Sequence, residues 1–174
     1  LFFLRDVSLV KILMFIPFLC IVVLYRWPIL GFSLRDIPGL KIILIGFSWG
    51  AVTVLLPNLF LGNVFNIEWS YVLTSSFYIF SITIPFDSRD YIVDDQSKKT
   101  IPQLIGLRKS CLLAVLVLLV IGFVFFFILD KPLMGFYCLI SVFIVSFSYK
   151  IRPDWYYSFI LDGLLVIMPL IFIF

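Results

Sequence analysis

The sequence predicts an all-α membrane protein of six transmembrane helices, and three observations carry that prediction. Hydrophobic residues make up 63% of the 174-residue chain, charged residues only 13%, and the mean hydropathy is +1.20, whereas about a quarter of the residues of a soluble domain are charged. The apolar residues gather into six stretches near the ~20 residues a helix needs to cross a bilayer. The basic residues fall between those stretches in a biased way: ten of the thirteen lie in three alternate connections.

The spans are expected near 8–25, 39–57, 68–86, 108–129, 132–149 and 156–174, forming a single transmembrane helical domain over 1–174. The first contains Lys11 and Pro17; lysine can snorkel to the interface, and membrane helices tolerate proline. In the second, Gly46-Phe47-Ser48-Trp49-Gly50 has the small-x-x-x-small spacing that lets two helices approach closely. In the third, Tyr71, Thr74, Tyr78, Ser81 and Pro85 recur at helical spacing, a polar stripe that either lines a cavity or bonds to neighbouring helices. The fourth is the plainest, with only Cys111 interrupting an apolar run to Leu129, and is expected to face lipid around much of its circumference. The last follows a Trp155-Tyr156-Tyr157 interface belt and carries Asp162, which is expected to turn into the bundle because a carboxylate in lipid costs a few kcal/mol. Asn58, Asn63 and Asn66 read as turn residues of a short outer loop. The chain opens on Leu1-Phe2-Phe3 without an initiator methionine or a signal-peptide pattern, which reads as a truncated N-terminus.

The connection holding Arg26, Arg35 and Lys41, the one holding Arg89, Lys98, Lys99, Arg108 and Lys109, and the one holding Lys150 and Arg152 share one side of the bundle; the other side has only Arg5, Lys11 and Lys131. By the positive-inside rule the richer side is cytoplasmic, in a plasma or inner membrane. A net charge of +3 spread over short loops gives no footing for nucleic acid. Cys20, Cys111 and Cys138 lack paired spacing and there is no histidine, so a zinc or haem site is not expected and the cysteines read as small core residues.

One polar stretch breaks the apolar background. Residues 85–102 contain seven charged side chains. If the chain after Pro85 is helical, Asp87, Asp90 and Asp94 stand at i, i+3 and i+7 on one face. Three carboxylates so placed repel one another until a cation joins them, and Mg²⁺, held by one or two carboxylates together with substrate phosphates, suits the donor set. The competing reading is a solvated loop.

Asp87-Ser88-Arg89-Asp90-Tyr91-Ile92-Val93-Asp94, followed by Lys99-Thr100-Ile101-Pro102 and Gly106, resembles the second aspartate-rich motif of the UbiA-type intramembrane prenyltransferases. The resemblance implies transfer of a polyprenyl group from a polyprenyl diphosphate to a small lipophilic or aromatic acceptor within the bilayer. It implies Mg²⁺ on Asp87, Asp90 and Asp94. It also implies diphosphate contacts drawn from Lys99, Arg89, Lys98, Arg35, Lys41 and Tyr25, the last three from a looser match in the earlier cytoplasmic connection. Thr74, Tyr78, Ser81 and Asp162 would line the cavity above. No segment matches the family's first aspartate motif, so the six expected helices resemble the last six of its nine. A noncatalytic scaffold with an acidic docking loop and a transporter fragment are the rival readings.

Overall fold

The computed structural model describes residues 37–60, 68–92 and 100–172, and singly Ile16, Cys20, Ile21, Val23 and Tyr25, all five helical. Every regular element among them is helical. The expected first span therefore lies largely outside the described residues.

Helix α1 (Leu40–Gly50) starts at Gly39, whose φ of +74° is a left-handed conformation that glycine adopts without penalty. A widened π turn, Ala51–Leu55, joins it to α2 (Leu56–Phe60). Pro57 follows that turn; its ring crowds the carbonyl four residues back and donates no hydrogen bond to it, and a widened turn relieves the conflict. Asn58 donates to the Val54 carbonyl at 2.9 Å, so it belongs to this helix and not to the expected turn.

Helix α3 (Trp69–Arg89) runs back antiparallel to α1 and tightens into a 3₁₀ turn at Asp90–Ile92. The short α4 (Ile101–Ile105) begins where Gln103 Oε1 accepts from the Thr100 N–H at 3.0 Å, and it ends at Gly106, φ +87°. Helices α5 (Leu107–Phe127) and α6 (Pro132–Ser146) form the next antiparallel pair, and α6 ends in a 3₁₀ turn, Phe147–Tyr149. A second π turn, Tyr156–Leu161, leads into α7 (Asp162–Phe172).

Burial inverts the hydropathy order of these helices. Of the 21 residues of α3, 12 are buried, among them Thr74, Ser75, Ser76, Ser81, Asp87 and Ser88, while the far more apolar α5 exposes Leu112, Leu116, Val120, Phe123 and Phe127. The most polar helix is thus the centre of the bundle, and α5 buries only one face through Ala114, Leu118, Ile121 and Phe125. A bilayer favours this arrangement, because Ser, Thr and Tyr find hydrogen-bond partners inside and Leu and Phe lose nothing in lipid.

The Gly46/Gly50 pair does what its spacing predicts. A Cβ on Gly46 would stand 2.6 Å from the Ser76 carbonyl oxygen, and one on Gly50 would stand 2.0 Å from Ser76 Oγ, so α1 and α3 approach as only a residue without a Cβ permits. Gly135 makes a similar niche on α6 for the Phe126 ring.

Leu40–Asn58, Leu107–Phe127 and Pro132–Tyr149 are long and apolar enough to cross a membrane. The six spans expected from the sequence are not all recovered. Helix α3 has the length, but its Ser, Thr and Tyr stripe dilutes its hydropathy, and Tyr156–Ile171 is apolar but shorter.

Candidate functional site at the acidic end of α3

The last two turns of α3 bring charge to the rim of the bundle. Asp87 is 2% exposed, and a carboxylate so buried needs a counter-charge to remain ionised. Lys41, in the first turn of α1, supplies it: Nζ donates to Asp87 Oδ1 at 2.9 Å, with the lysine side chain 44% exposed. The antiparallel pairing of α1 and α3 puts the start of one beside the end of the other, and α4 closes on the same spot through Ile101, whose Cγ1 lies 3.4 Å from where a Gly39 Cβ would be. Thr100, immediately before Ile101, is buried and caps α4.

Asp90 sits in the 3₁₀ turn and is clasped by its neighbour. Arg89 Nε donates to Oδ1 at 2.7 Å and Nη2 to Oδ2 at 3.3 Å. That bond to Asp90 holds the Arg89 guanidinium above its ordinary pKa, and the field of Asp154 acts in the same direction. The guanidinium also lies over two rings, 5.9 Å from Phe86 and 5.6 Å from Tyr157, a cation–π arrangement that keeps its position defined. Tyr157 is fully buried, and its hydroxyl accepts from the Arg152 N–H at 3.1 Å.

The site thus joins Asp87 to Lys41 and Asp90 to Arg89. The helix expected to carry Asp87, Asp90 and Asp94 on one continuous face ends at Arg89, because the chain tightens at Asp90, so the regular seven-residue register stops there. Asp94, Lys98, Lys99 and Arg35 lie outside the described residues, and Tyr25 is helical and half-buried. Among the described residues no three Asp, Glu, Cys or His side chains converge as metal ligands.

The Thr74, Tyr78 and Ser81 hydroxyls of the polar stripe are engaged in hydrogen bonds inside the bundle. Thr74 Oγ1 donates to the Ser70 carbonyl and Ser81 Oγ to the Phe77 carbonyl. Tyr78 Oη stands 2.9 Å from Ser141 Oγ on α6, and because Ser141 already donates to the Tyr137 carbonyl, the tyrosine is the donor. Tyr78 also stacks on the Tyr137 ring, centroids 5.9 Å apart. Of the two roles open to the stripe, interhelical bonding holds for Tyr78.

Asp162 is exposed and does not turn inward as expected. The buried positions Tyr157, Leu161, Leu164 and Met168 recur at steps of four, three and four, which defines the inward face, and Asp162 falls one residue past Leu161, about 100° round the helix. Cys111 and Cys138 are buried as expected, whereas Cys20 is exposed. Sequence reasoning overlooked Tyr157 as a site residue. It was read as part of an interface belt, and its four-residue offset from Leu161 was the available sign that it points inward.

The chain matches no protein-family model, no curated protein and no solved structure.

Proposed function

We propose that the acidic end of α3 binds the diphosphate of a polyprenyl donor and that the protein transfers the prenyl group to a lipophilic or aromatic acceptor in the membrane. The observation that carries the reading is the buried Asp87 carboxylate held by Lys41 at 2.9 Å, with a second acid–base pair, Asp90 and Arg89, one turn on. Two carboxylates and two cations at a bundle rim can exchange partners: a diphosphate takes the lysine and the guanidinium, and a divalent cation takes the carboxylates. The chemistry of the donor set fits Mg²⁺, which is commonly held by one or two carboxylates plus phosphate oxygens; Asp87 and Asp90 would hold it, joined by Asp94 as the motif implies. When bound, Mg²⁺ supplies neutralisation of the charge that develops on the departing diphosphate.

The chain's own residues do the rest. Lys41 and Arg89 donate to the phosphate oxygens as the allylic C–O bond breaks, and these bonds strengthen as charge moves onto the leaving group. The faces of Phe86 and Tyr157, next to the guanidinium, offer negative quadrupole density to a prenyl cation. The apolar bundle keeps water from quenching it. The positive-inside count supports the reading, since it favours a cytoplasmic position for this end, where magnesium and soluble phosphates are found.

The test is thermal stability of the detergent-purified protein with Mg²⁺, with geranylgeranyl diphosphate, and with both. A ligand at one hundred times its dissociation constant adds about 2.7 kcal/mol, so stabilisation that needs both ligands and is lost in Asp90→Asn/Asp94→Asn supports the reading. A second reading, a noncatalytic membrane scaffold, is favoured by the same two ion pairs taken as permanent: Asp87 and Asp90 are each already neutralised within the protein. It requires that neither ligand shifts the melting temperature.

A further inference from the structure

At the opposite end of α3 lies a cavity of about 730 Å³ between α1, its π turn, α3 and α7. Its walls are mostly apolar, with Val54, Pro57, Ile79, Leu165 and Met168 joined by the polar Asn58 and Tyr71, and its mouth carries Glu68 and Lys131, both exposed and of opposite charge. Ser75 reaches it from α3. That side chain is 2% exposed, and its Oγ has no hydrogen-bond partner among the described residues. Ser70, Ser76 and Ser81 lie on the same helix; Ser76 and Ser81 satisfy their hydroxyls on the carbonyl four residues back, so the solitary Ser75 hydroxyl is not a property of serine in this helix. A buried hydroxyl left without a partner destabilises the free protein, a penalty removed when a ligand offers an acceptor.

We propose that this cavity binds one zwitterionic aminophospholipid of the leaflet opposite the aspartates. The ammonium group meets Glu68, the phosphate meets Lys131, an ester carbonyl accepts the Ser75 O–H, and an acyl chain lies along Ile79, Leu165 and Met168. The spacing suits such a molecule. Ser75 is seven residues beyond Glu68, about 10 Å along the helix axis, comparable with the span from the amine of an ethanolamine headgroup to the ester carbonyls beneath it. The charge at the mouth chooses the headgroup: one acid and one base complement a zwitterion, and a purely anionic lipid would set its charge against Glu68. The π turn, which carries Thr53 and Val54 into the lining, widens α1 beside the cavity, and such turns recur at binding sites. The inference is independent of the diphosphate site, since it uses none of its residues.

Native mass spectrometry of the protein released from detergent micelles, after incubation with phosphatidylethanolamine or phosphatidylglycerol, tests it. One phosphatidylethanolamine should be retained in preference to phosphatidylglycerol. Glu68→Gln/Lys131→Gln should reduce retention about tenfold and erase the preference, and Ser75→Ala should reduce it about fivefold, the worth of a hydrogen bond of ordinary strength. Glu68 and Lys131 are exposed and the Ser75 hydroxyl is unpartnered, so neither variant should melt below the unaltered protein in lipid-free detergent, and Ser75→Ala, which removes an unsatisfied buried group, should melt at or above it. Equal retention of the two lipids, detergent alone in the cavity, or unchanged retention in both variants overturns the proposal.

Discussion

The contact between α1 and α3 allows a prediction to be worked from distances. A methyl group on Gly46 would lie 2.6 Å from the Ser76 carbonyl oxygen and 3.2 Å from Phe80 N and Cβ. Backbone atoms cannot step aside, so the helices must part by roughly 0.5–1 Å, a gap that forfeits a quarter to a half of each dispersion contact along the seam. Overpacking of this kind costs about 1–3 kcal/mol, and Gly46→Ala should fall near the top of that range. A methyl on Gly50 meets a different obstacle. Ser76 Oγ is 2.0 Å away and the Val72 carbonyl oxygen 2.8 Å away, so the worst overlap is with a side chain. Ser76→Ala should therefore recover part of the stability lost in Gly50→Ala and none of that lost in Gly46→Ala. The assay is unfolding in mixed micelles by denaturing-detergent titration, with the two double mutants read as coupling energies. Equal rescue of both glycine variants by Ser76→Ala, or a Gly46→Ala variant as stable as the unaltered protein, would refute the close-packed seam.

Three further outcomes follow. Lys41→Met strips the counter-charge from buried Asp87 and should cost about 2–3 kcal/mol, less than for a fully buried pair because the lysine is partly exposed; Lys41→Met/Asp87→Asn should regain most of it in the same titration. Tyr78→Phe should cost only about 0.6 kcal/mol, the usual worth of an interhelical bond in a membrane bundle, and adding Ser141→Ala should cost less than it does alone because their shared bond is already gone. Arg89→Lys keeps the charge but loses the two-pronged grip on Asp90, so stability should change by less than about 1 kcal/mol while the stabilisation by magnesium plus geranylgeranyl diphosphate falls; an undiminished ligand shift removes Arg89 from the diphosphate site.

Much of the fold was legible because helix formation is local. The apolar stretches near 39–57, 108–129 and 132–149 became helices close to the expected bounds, since composition and length suffice where a bilayer demands that each segment satisfy its own backbone. The Gly46 and Gly50 spacing announced a close crossing, because only the absence of two side chains on one helix face is needed to allow it. The position of Asp87 at the foot of a polar stripe was likewise written in the order of residues.

Which cation answers Asp87 was not. Five basic residues, Arg35, Lys41, Arg89, Lys98 and Lys99, were candidates for the diphosphate with nothing in the sequence to pair any of them with Asp87, and the antiparallel pairing of α1 with α3 brings Lys41 to it from 46 residues away. The same holds for Tyr78, whose partner Ser141 is 63 residues distant. Asp162 seemed bound for the interior by its charge alone, yet the phase set by Tyr157, Leu161, Leu164 and Met168 leaves it outside. The local 3.6-residue period determined by the sequence tells which residues share a face. Only the tertiary structure decides what that face meets, because the partner's position depends on how every intervening turn directs the chain.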